Sequence, residues 1–206
     1  LQEKIKLIAS GRTDAGAHAR AQVANFFTRS KIALSRLKLA LNGNLPEDIK
    51  VIRLSEEGPG FHSRFKAKSK VYRYTILNRD YSSPLLRNTV YFYPHPLDVK
   101  LMRREARVLL GRHDFGAFCA SQGRDKNQVK KIKRISIVKK NNFIYIDIEA
   151  DGFLYNMVRN IVGTLIEIGR GSAGAGSLKK ILLSRRRALA GPTIPARGLC
   201  LLEVKY

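Results

Sequence analysis

The sequence predicts an α+β fold built on a mainly antiparallel sheet. Several short segments alternate apolar and polar residues, and two of them flank Asn141-Asn142, a pair typical of a hairpin turn. Four other segments carry apolar residues at helical spacing, and they are interspersed among the strands. This mixture of strands and helices, together with the hairpin, predicts an α+β fold with a mainly antiparallel sheet.

The strand predictions rest on alternation and on β-branched or aromatic residues. The clearest segment is 70–77, in which Tyr72, Tyr74 and Ile76 share one face. The hairpin partner at 143–149 places Ile144 and Ile146 on one apolar face. The predicted strands are 5–9, 22–27, 50–54, 70–77, 89–93, 133–139, 143–149 and 198–206.

The helix predictions rest on apolar stripes with start and stop residues. Asp98 is a candidate N-cap for the second helix, and Ser177 is a candidate N-cap for the fourth. The third stripe is the most apolar of the four. The predicted helices cover 34–41, 99–110, 155–168 and 178–182.

The charge of the chain indicates a polyanionic partner. Its 206 residues include 39 Lys and Arg against 16 Asp and Glu, a net charge of +23, with an ordinary 44% of hydrophobic residues. Residues 1–94 carry 17 basic and 7 acidic residues (+10), and residues 95–206 carry 22 and 9 (+13). The densest run, 124–140, has eight basic residues against one acid. Since such a charge repels itself, nucleic acid is the first partner to expect and an acidic membrane surface the second.

Several classes of protein are disfavoured. No apolar stretch reaches the roughly 20 residues that span a bilayer, and no secretion signal opens the chain. Cys119 and Cys200 both lie among apolar neighbours, which predicts two reduced, packed thiols and a cytoplasmic protein. The four histidines show no metal-ligand spacing.

The first candidate for chemistry is the segment 11–19, Gly-Arg-Thr-Asp-Ala-Gly-Ala-His-Ala. Its two glycines allow a sharp turn that presents Arg12 and Asp14. A polar turn in which Asp14 satisfies backbone N–H groups is the alternative interpretation. In a chain with so few acids, a carboxylate beside an arginine favours a functional site.

Two further segments each allow a functional and a structural interpretation. In 70–74, Tyr72 and Tyr74 stand among basic residues, so they could stack on bases or form an ordinary core pair. In 152–160, Arg159 lies on a strongly apolar helix. Its side chain could extend to water, or it could be buried against a carboxylate that it holds ionised.

Together these segments resemble the TruA family of tRNA pseudouridine synthases. The family's signature G-R-T-D-A-G-V-H-A matches 11–19 with one difference, Ala17 where Val is usual. The resemblance runs in order along essentially the whole chain. Further matching motifs are K-x-Y-x-Y at 70–74, H-D-F at 113–115, K-N at 126–127, F-L-x-x-M-V-R-x-I at 153–161 and G-P-T-x-P-A-x-G-L at 191–199.

The resemblance implies the pseudouridine synthase fold. This fold has two ferredoxin-like halves whose mainly antiparallel sheets join side by side around a central basic cleft. We expect an N-terminal half at 1–94, which carries the catalytic aspartate, and a C-terminal half at 95–206. Members of the family begin with a strand and a helix that have no counterpart in this sequence, so the first half is expected to be incomplete.

The resemblance also implies roles for five residues. Asp14 is the catalytic carboxylate, and Arg159 pairs with it. Tyr72 stacks on or near the target uracil and serves in proton transfer. Arg12 helps hold the flipped nucleotide, and Leu199 lines the uracil site.

The implied activity is isomerisation of uridine to pseudouridine at positions 38–40 in the anticodon stem-loop of tRNA. Isomerisation involves no redox change or hydrolysis, so no cofactor or metal is expected. The family is homodimeric, with tRNA as its partner. Two alternatives stay open at this point. One is a non-catalytic basic RNA-binding module, and the other is a synthase of the same fold that acts on another RNA.

Overall fold

The computed structural model describes residues 1–120 and 127–206. Lys126 and the beginning of the basic run at 124–140 therefore lie outside the described residues. The chain divides into two compact units. The first comprises Leu1–Ser10 and Val23–Lys66, and the second comprises Gly11–Gln22 and Ala67–Tyr206. The division into halves at residue 94 stays a prediction.

Strands outnumber helices in the described residues. The strands are β1 (Ile8–Ala9), β2 (His18–Ala19), β3 (Ala24–Asn25), β4 (Ser69–Asn78), β5 (Tyr91–Tyr93), β6 (Gly111–Asp114), β7 (Val129–Lys140), β8 (Phe143–Ala150) and β9 (Leu199–Lys205). The α-helices are α1 (Leu34–Asn44), α2 (Val99–Ala106), α3 (Met157–Gly169) and α4 (Ser177–Ser184). Short 3₁₀ turns lie at Pro84–Leu86, Arg107–Leu109, Gly116–Phe118, Arg187–Leu189 and Ala196–Gly198.

The first unit holds a two-stranded antiparallel sheet and α1. In that sheet β1 pairs with β3, so that Ile8 lies opposite Asn25. Ser63 ties the two strands to a later loop, because its Oγ donates to the Ile8 carbonyl at 2.7 Å and its backbone N–H donates to Asn25 Oδ1 at 2.9 Å. The strands predicted at 5–9 and 22–27 are thus present but much shorter.

The strand predicted at 50–54 is wrong, since this segment forms no sheet. The side-chain amide of Asn42 on α1 takes the place of a strand partner. Its Nδ2 donates to the Val51 carbonyl at 3.0 Å, and its Oδ1 accepts from the Val51 N–H at 2.7 Å. The backbone groups of Val51 are therefore paired with a side chain instead of with a neighbouring strand.

The second unit is built on a seven-stranded sheet with the order β2-β9-β4-β8-β7-β6, in which β5 also pairs with β4. The β2–β9 and β4–β5 pairs are parallel, and the other pairs are antiparallel. Tyr74, Ile76, Ile146 and Ile148 are fully buried, and they belong to one core with residues of α2 and α3. The predicted α+β fold with a mainly antiparallel sheet is confirmed.

The predicted hairpin turn is also confirmed. Lys140 pairs with Phe143 across Asn141-Asn142, and Asn141 has a φ of 53°. Asparagine tolerates this left-handed conformation better than most residues do, which explains why the turn could be found in the sequence.

One of the two predicted N-caps is right and the other is wrong. Asp98 caps α2, because its Oδ1 accepts from the Leu101 N–H at 2.9 Å. Ser177 is instead the first residue of α4. Gly176 directly precedes α4, and its N–H donates at 2.9 Å to Oε1 of Glu105, a buried carboxylate on α2. A partner brought by tertiary packing thus replaces the local cap.

The helix α3 packs very closely against the loop 191–195. A Cβ added at Gly163 would lie 2.0 Å from the Pro192 carbonyl oxygen, and one added at Gly191 would lie 2.7 Å from the Thr164 Cα. Only glycine at these two positions allows the two backbones to come so near.

None of the helices in the described part of the chain is long and apolar enough to cross a membrane.

Candidate active site

The segment 11–19 forms a tight turn that displays Asp14. The Ala17 N–H donates to the Asp14 carbonyl at 3.0 Å. Gly16 has a φ of 80° at the third position of this turn, where a type II turn needs a residue that accepts positive φ. Gly16 is therefore required by the backbone of this turn, on which the Asp14 side chain is half-buried.

The strand β2 follows this turn and anchors it to the sheet. Ala19 of β2 lies opposite Leu201 of β9, and Leu201 lies opposite Tyr72 of β4. The register thus places Tyr72 two strands away from the segment that carries Asp14. In this way two motifs about sixty residues apart in the sequence lie on strands separated only by β9.

Arg159 on α3 is bound to Asp14. Its Nη1 donates to Asp14 Oδ2 at 2.6 Å, and the exposed fractions of the two side chains are 16% and 24%. Its Nε donates to the Ile194 carbonyl at 2.7 Å. The alternative in which Arg159 extends to water is therefore wrong, and the pairing with a carboxylate expected from the sequence is present.

Asn156 supplies a third acceptor for the same guanidinium. Its Oδ1 accepts from Arg159 Nη1 at 2.8 Å. It is the residue before α3 and has a φ of 60°, a left-handed conformation that is unfavourable for most side chains. Held from three sides, the guanidinium has little freedom to turn, so it fixes the direction in which Asp14 points.

Tyr72 lies beside this ion pair with most of its ring buried. Phe153 packs against it edge to face, with 5.0 Å between ring centroids. Burial raises the pKa of Tyr72 to about 12, and the negative charge of Asp14 acts in the same direction. The phenol is therefore neutral at physiological pH and able to donate a hydrogen bond or a proton.

The other predicted site residues lie nearby but have different surroundings. Arg12 is exposed on the same turn as Asp14. Leu199 is buried at the start of β9 opposite Tyr74. Tyr74 is fully buried, and its hydroxyl donates to the Pro195 carbonyl at 2.6 Å. Of the two tyrosines, Tyr74 is thus a core residue, and Tyr72 is the one that lies at the candidate site.

Three parts of the site were not assigned a role from the sequence alone. The Ile194 acceptor is a backbone carbonyl, so no side chain marks it. Asn156 left a weak signal, since an asparagine directly before an apolar helix is suited to a left-handed residue at that boundary. Phe153 belongs to the matched segment 153–161, and its part in the site follows only from the packing of its ring against Tyr72.

The arrangement can support acid–base or nucleophilic chemistry. It offers one oriented carboxylate, one arginine that balances its charge, and one neutral phenol. Among the described residues, no group of three or more His, Cys, Asp or Glu side chains could hold a metal ion.

The raised pKa of Tyr72 predicts a loss of stability at alkaline pH. Because an unfolded tyrosine titrates near 10, the unfolded state loses this proton first between about pH 10 and 12, so stability falls as pH rises. For Tyr72 the loss is about 1.4 kcal/mol at pH 11. Urea unfolding at pH 8 and pH 11 should therefore show a smaller fall for Tyr72→Phe than for the natural chain.

The control for this prediction is Tyr155→Phe, which removes the same hydroxyl from a side chain that is 52% exposed. Its stability should fall between the two pH values as much as that of the natural chain. Equal falls for Tyr72→Phe and Tyr155→Phe would contradict the raised pKa.

Comparison with known families adds independent information. A family model described as tRNA pseudouridine synthase matches residues 2–66 and 106–206. These ranges include Arg12, Asp14, Arg159 and Leu199. Tyr72 lies between the two matched ranges.

Several curated proteins named tRNA pseudouridine synthase A are similar to this chain. The chain is 47% identical over 204 residues to the tRNA pseudouridine synthase A of Moorella thermoacetica. The aligned residues cover 99% of this chain and 83% of the relative. The protein of that name from Acetivibrio thermocellus is also 47% identical, with coverages of 99% and 84%. The protein from Halalkalibacterium halodurans is 43% identical, with coverages of 95% and 74%.

Proposed function

This chain belongs to the tRNA pseudouridine synthase family, and from that premise we propose that it isomerises uridine at positions 38–40 in the anticodon stem-loop of tRNA. It is an isomerase, as pseudouridine synthases are. In the proposal Asp14 is the catalytic carboxylate, and the 2.6 Å contact between Asp14 and Arg159 is the observation that carries it.

The proposed reaction breaks the N1–C1′ bond of uridine and forms a C5–C1′ bond. The hydrogen on C5 leaves as a proton, and N1 gains a proton. The reaction therefore consumes neither an oxidant nor a water molecule. A carboxylate can act as a nucleophile at C1′ or as a base on the sugar, and both routes require it to reach the ribose in a fixed orientation. Arg159 supplies that orientation at Asp14.

Tyr72 is proposed to contact the uracil and take part in proton transfer. Its neutral phenol beside Asp14 supports this role, because a neutral hydroxyl can donate to a base that is leaving or returning. The edge-to-face contact with Phe153 limits how far its ring can turn.

Arg12 and Leu199 are proposed to hold the substrate. A uridine in a stem-loop must leave its stack before its glycosidic bond is accessible, which costs a few kcal/mol. Arg12 is exposed two residues from Asp14, a place from which a cation can contact the phosphates of an extruded nucleotide. Leu199 is proposed to line the base site with the small part of its side chain that is not buried. The net charge of +23 supports sequence-independent attraction of the rest of the RNA.

Assembly and compartment are further parts of the proposal. We propose a homodimer, as the resemblance implies, in which one tRNA contacts both subunits. We also propose a cytoplasmic location, as the cysteine usage predicts. Sedimentation at equilibrium measures the assembly directly, and a mass of 23.2 kDa instead of twice that value would contradict the dimer.

Incubation of the purified protein with an unmodified tRNA transcript tests the proposed target. The transcript carries uridines at positions 38, 39 and 40 as well as elsewhere, and pseudouridines are then mapped by mass spectrometry. We expect pseudouridine at positions 38, 39 and 40, because the proposal assigns the extruded base to the anticodon stem-loop.

A transcript with cytidine at the three positions is the matched control, and it should stay unmodified. Pseudouridine confined to other parts of the tRNA would overturn the target while leaving the isomerase activity. No pseudouridine in either transcript would overturn the proposed function itself.

A further inference from the structure

A polar cluster joins α3 to the loop 191–195. It consists of Arg187, Asn160 and Thr193. Arg187 Nη2 donates to Asn160 Oδ1 at 3.1 Å and to Thr193 Oγ1 at 3.0 Å, and Thr193 Oγ1 donates to Asn160 Oδ1 at 2.6 Å. Side chains from the helix and the loop are thus joined through one guanidinium.

The same guanidinium also fixes the beginning of the loop. Arg187 Nη1 donates to the Ala190 carbonyl at 3.2 Å and to the Gly191 carbonyl at 2.9 Å. All four acceptors are neutral oxygens. Since guanidinium presents several N–H groups in a rigid plane, it can reach acceptors on both sides at once, which an ammonium cannot do in the same geometry.

The helix side of the cluster is firmly held. Asn160 is fully buried, and its Nδ2 donates to the Phe118 carbonyl at 2.7 Å. Thr164 Oγ1 donates to the Asn160 carbonyl at 2.7 Å and accepts from the Gly191 N–H at 2.9 Å. Together with the close approach at Gly163, these contacts leave the loop little room to shift along α3.

The cluster adjoins both partners of a hydrogen bond in the candidate site. Thr193 directly precedes Ile194, whose carbonyl accepts from Arg159 Nε at 2.7 Å. Asn160 directly follows Arg159 on α3. A shift of the loop would therefore move the Ile194 carbonyl away from Arg159, and Arg159 would lose one of the acceptors that orient it toward Asp14.

The geometry points to Arg187 as a positioning residue for the isomerisation, which acts by holding the Ile194 carbonyl against Arg159. This inference rests on the proposed function, since it assigns Arg187 a part in the same site. Arg187 does not contact the substrate in this account, and its effect passes through Arg159. A residue that only stabilises the fold would lower the amount of folded protein without changing the turnover of the folded fraction.

The test compares kcat and KM for tRNA in Arg187→Gln and Arg187→Lys. Displacement of an orienting group by about 1 Å can reduce turnover by roughly 10- to 100-fold. We expect a fall of that size in kcat for Arg187→Gln with KM within about twofold of the natural value. Arg187→Lys should recover only part of kcat, because it restores the charge without the planar set of donors.

Arg186→Gln is the matched control, since it removes the same charge from the neighbouring exposed side chain. Its kcat should stay at the natural value. An equal fall of kcat in Arg186→Gln and Arg187→Gln would overturn the inference in favour of a general effect of charge.

A double variant tests whether Arg187 acts through Arg159. If it does, adding Arg187→Gln to Arg159→Lys should lower kcat by less than twofold, because the orientation is already lost. If the two changes multiply, Arg187 acts independently of Arg159 and the inference is wrong.

Thr193→Val keeps the test decisive if Arg187→Gln fails to fold. It preserves the side-chain volume and removes the hydroxyl that contacts both Arg187 and Asn160. We expect reduced kcat and nearly natural KM in protein whose circular dichroism is unchanged. Natural kcat in this folded variant would overturn the inference, whereas absence of activity in the natural protein would overturn the proposed function instead.

Discussion

Replacing Asp14 with asparagine should abolish pseudouridine formation while tRNA binding persists. Asparagine keeps the size of the side chain and an oxygen that can accept from Arg159 Nη1. In the natural chain that nitrogen lies 2.6 Å from Oδ2 of Asp14. It removes the charge that a nucleophile or base needs. We expect a fall in kcat of about 10⁴-fold or more, since removal of a reacting or directly supporting catalytic side chain costs about 10⁴- to 10⁶-fold. Pseudouridine is measured in digested tRNA, and binding is measured by filter retention at matched salt.

The matched control is Asp80→Asn, which removes a carboxylate from an exposed position outside the site. It should show natural turnover and natural binding. If Asp14→Asn retained natural turnover, Asp14 would not be the catalytic carboxylate. If it lost tRNA binding in proportion to its activity, the role of Asp14 would be in holding RNA instead.

Replacing Arg159 with lysine should have the second largest effect. The guanidinium contacts Asp14, Asn156 and the Ile194 carbonyl at 2.6 to 2.8 Å. Lysine keeps the positive charge but concentrates its donors on one nitrogen, so it cannot hold these three acceptors in the same plane. Asp14 would then sample other directions, and we expect kcat to fall by about 10²-fold.

Arg170→Lys is the control for Arg159→Lys, because Arg170 follows the same helix and pairs with Glu167 at an exposed position. It should leave kcat unchanged. The measurement is kcat at saturating tRNA, with thermal unfolding recorded for both variants. Natural kcat in Arg159→Lys would show that charge alone is sufficient and that the three-sided contact does not matter.

The sequence predicted the fold class and the long strands because their signals are local. Alternation over residues 70–77 became β4, and the apolar stripe at 155–168 became α3. The segment at 50–54 had the same local signal but no strand partner, because Asn42 took the backbone groups of Val51. Local pattern identifies what a segment can form, whereas a tertiary contact decides whether it does so.

The candidate site shows the same division. Asp14 and Tyr72 stood out through residue type and spacing, and the resemblance to a family linked them to Arg159. The sequence alone left two environments open for Arg159, and only the fold brings it to 2.6 Å from Asp14. The Ile194 carbonyl could not be anticipated, since any residue has such a group and its use depends on where the loop lies.

The cluster around Arg187 shows a further reason why the sequence alone could not reveal the whole site. Arg187 belongs to none of the motifs that carry the resemblance, and in the sequence it is one of three consecutive arginines. Its neighbours Arg185 and Arg186 are exposed, whereas Arg187 is half-buried with four oxygen acceptors. Residue type cannot separate the three, because the difference lies in the packing of the loop against α3.

Single-turnover release of tritium from tRNA labelled at C5 of uridine tests the central claim most directly. Formation of the C5–C1′ bond expels the C5 hydrogen, so each isomerised uridine releases one tritium. With the protein in excess over tRNA, binding no longer limits the rate. We predict rapid release by the natural chain and none above background by Asp14→Asn. Release by Asp14→Asn at the natural rate would contradict the assignment of Asp14 as the reacting carboxylate.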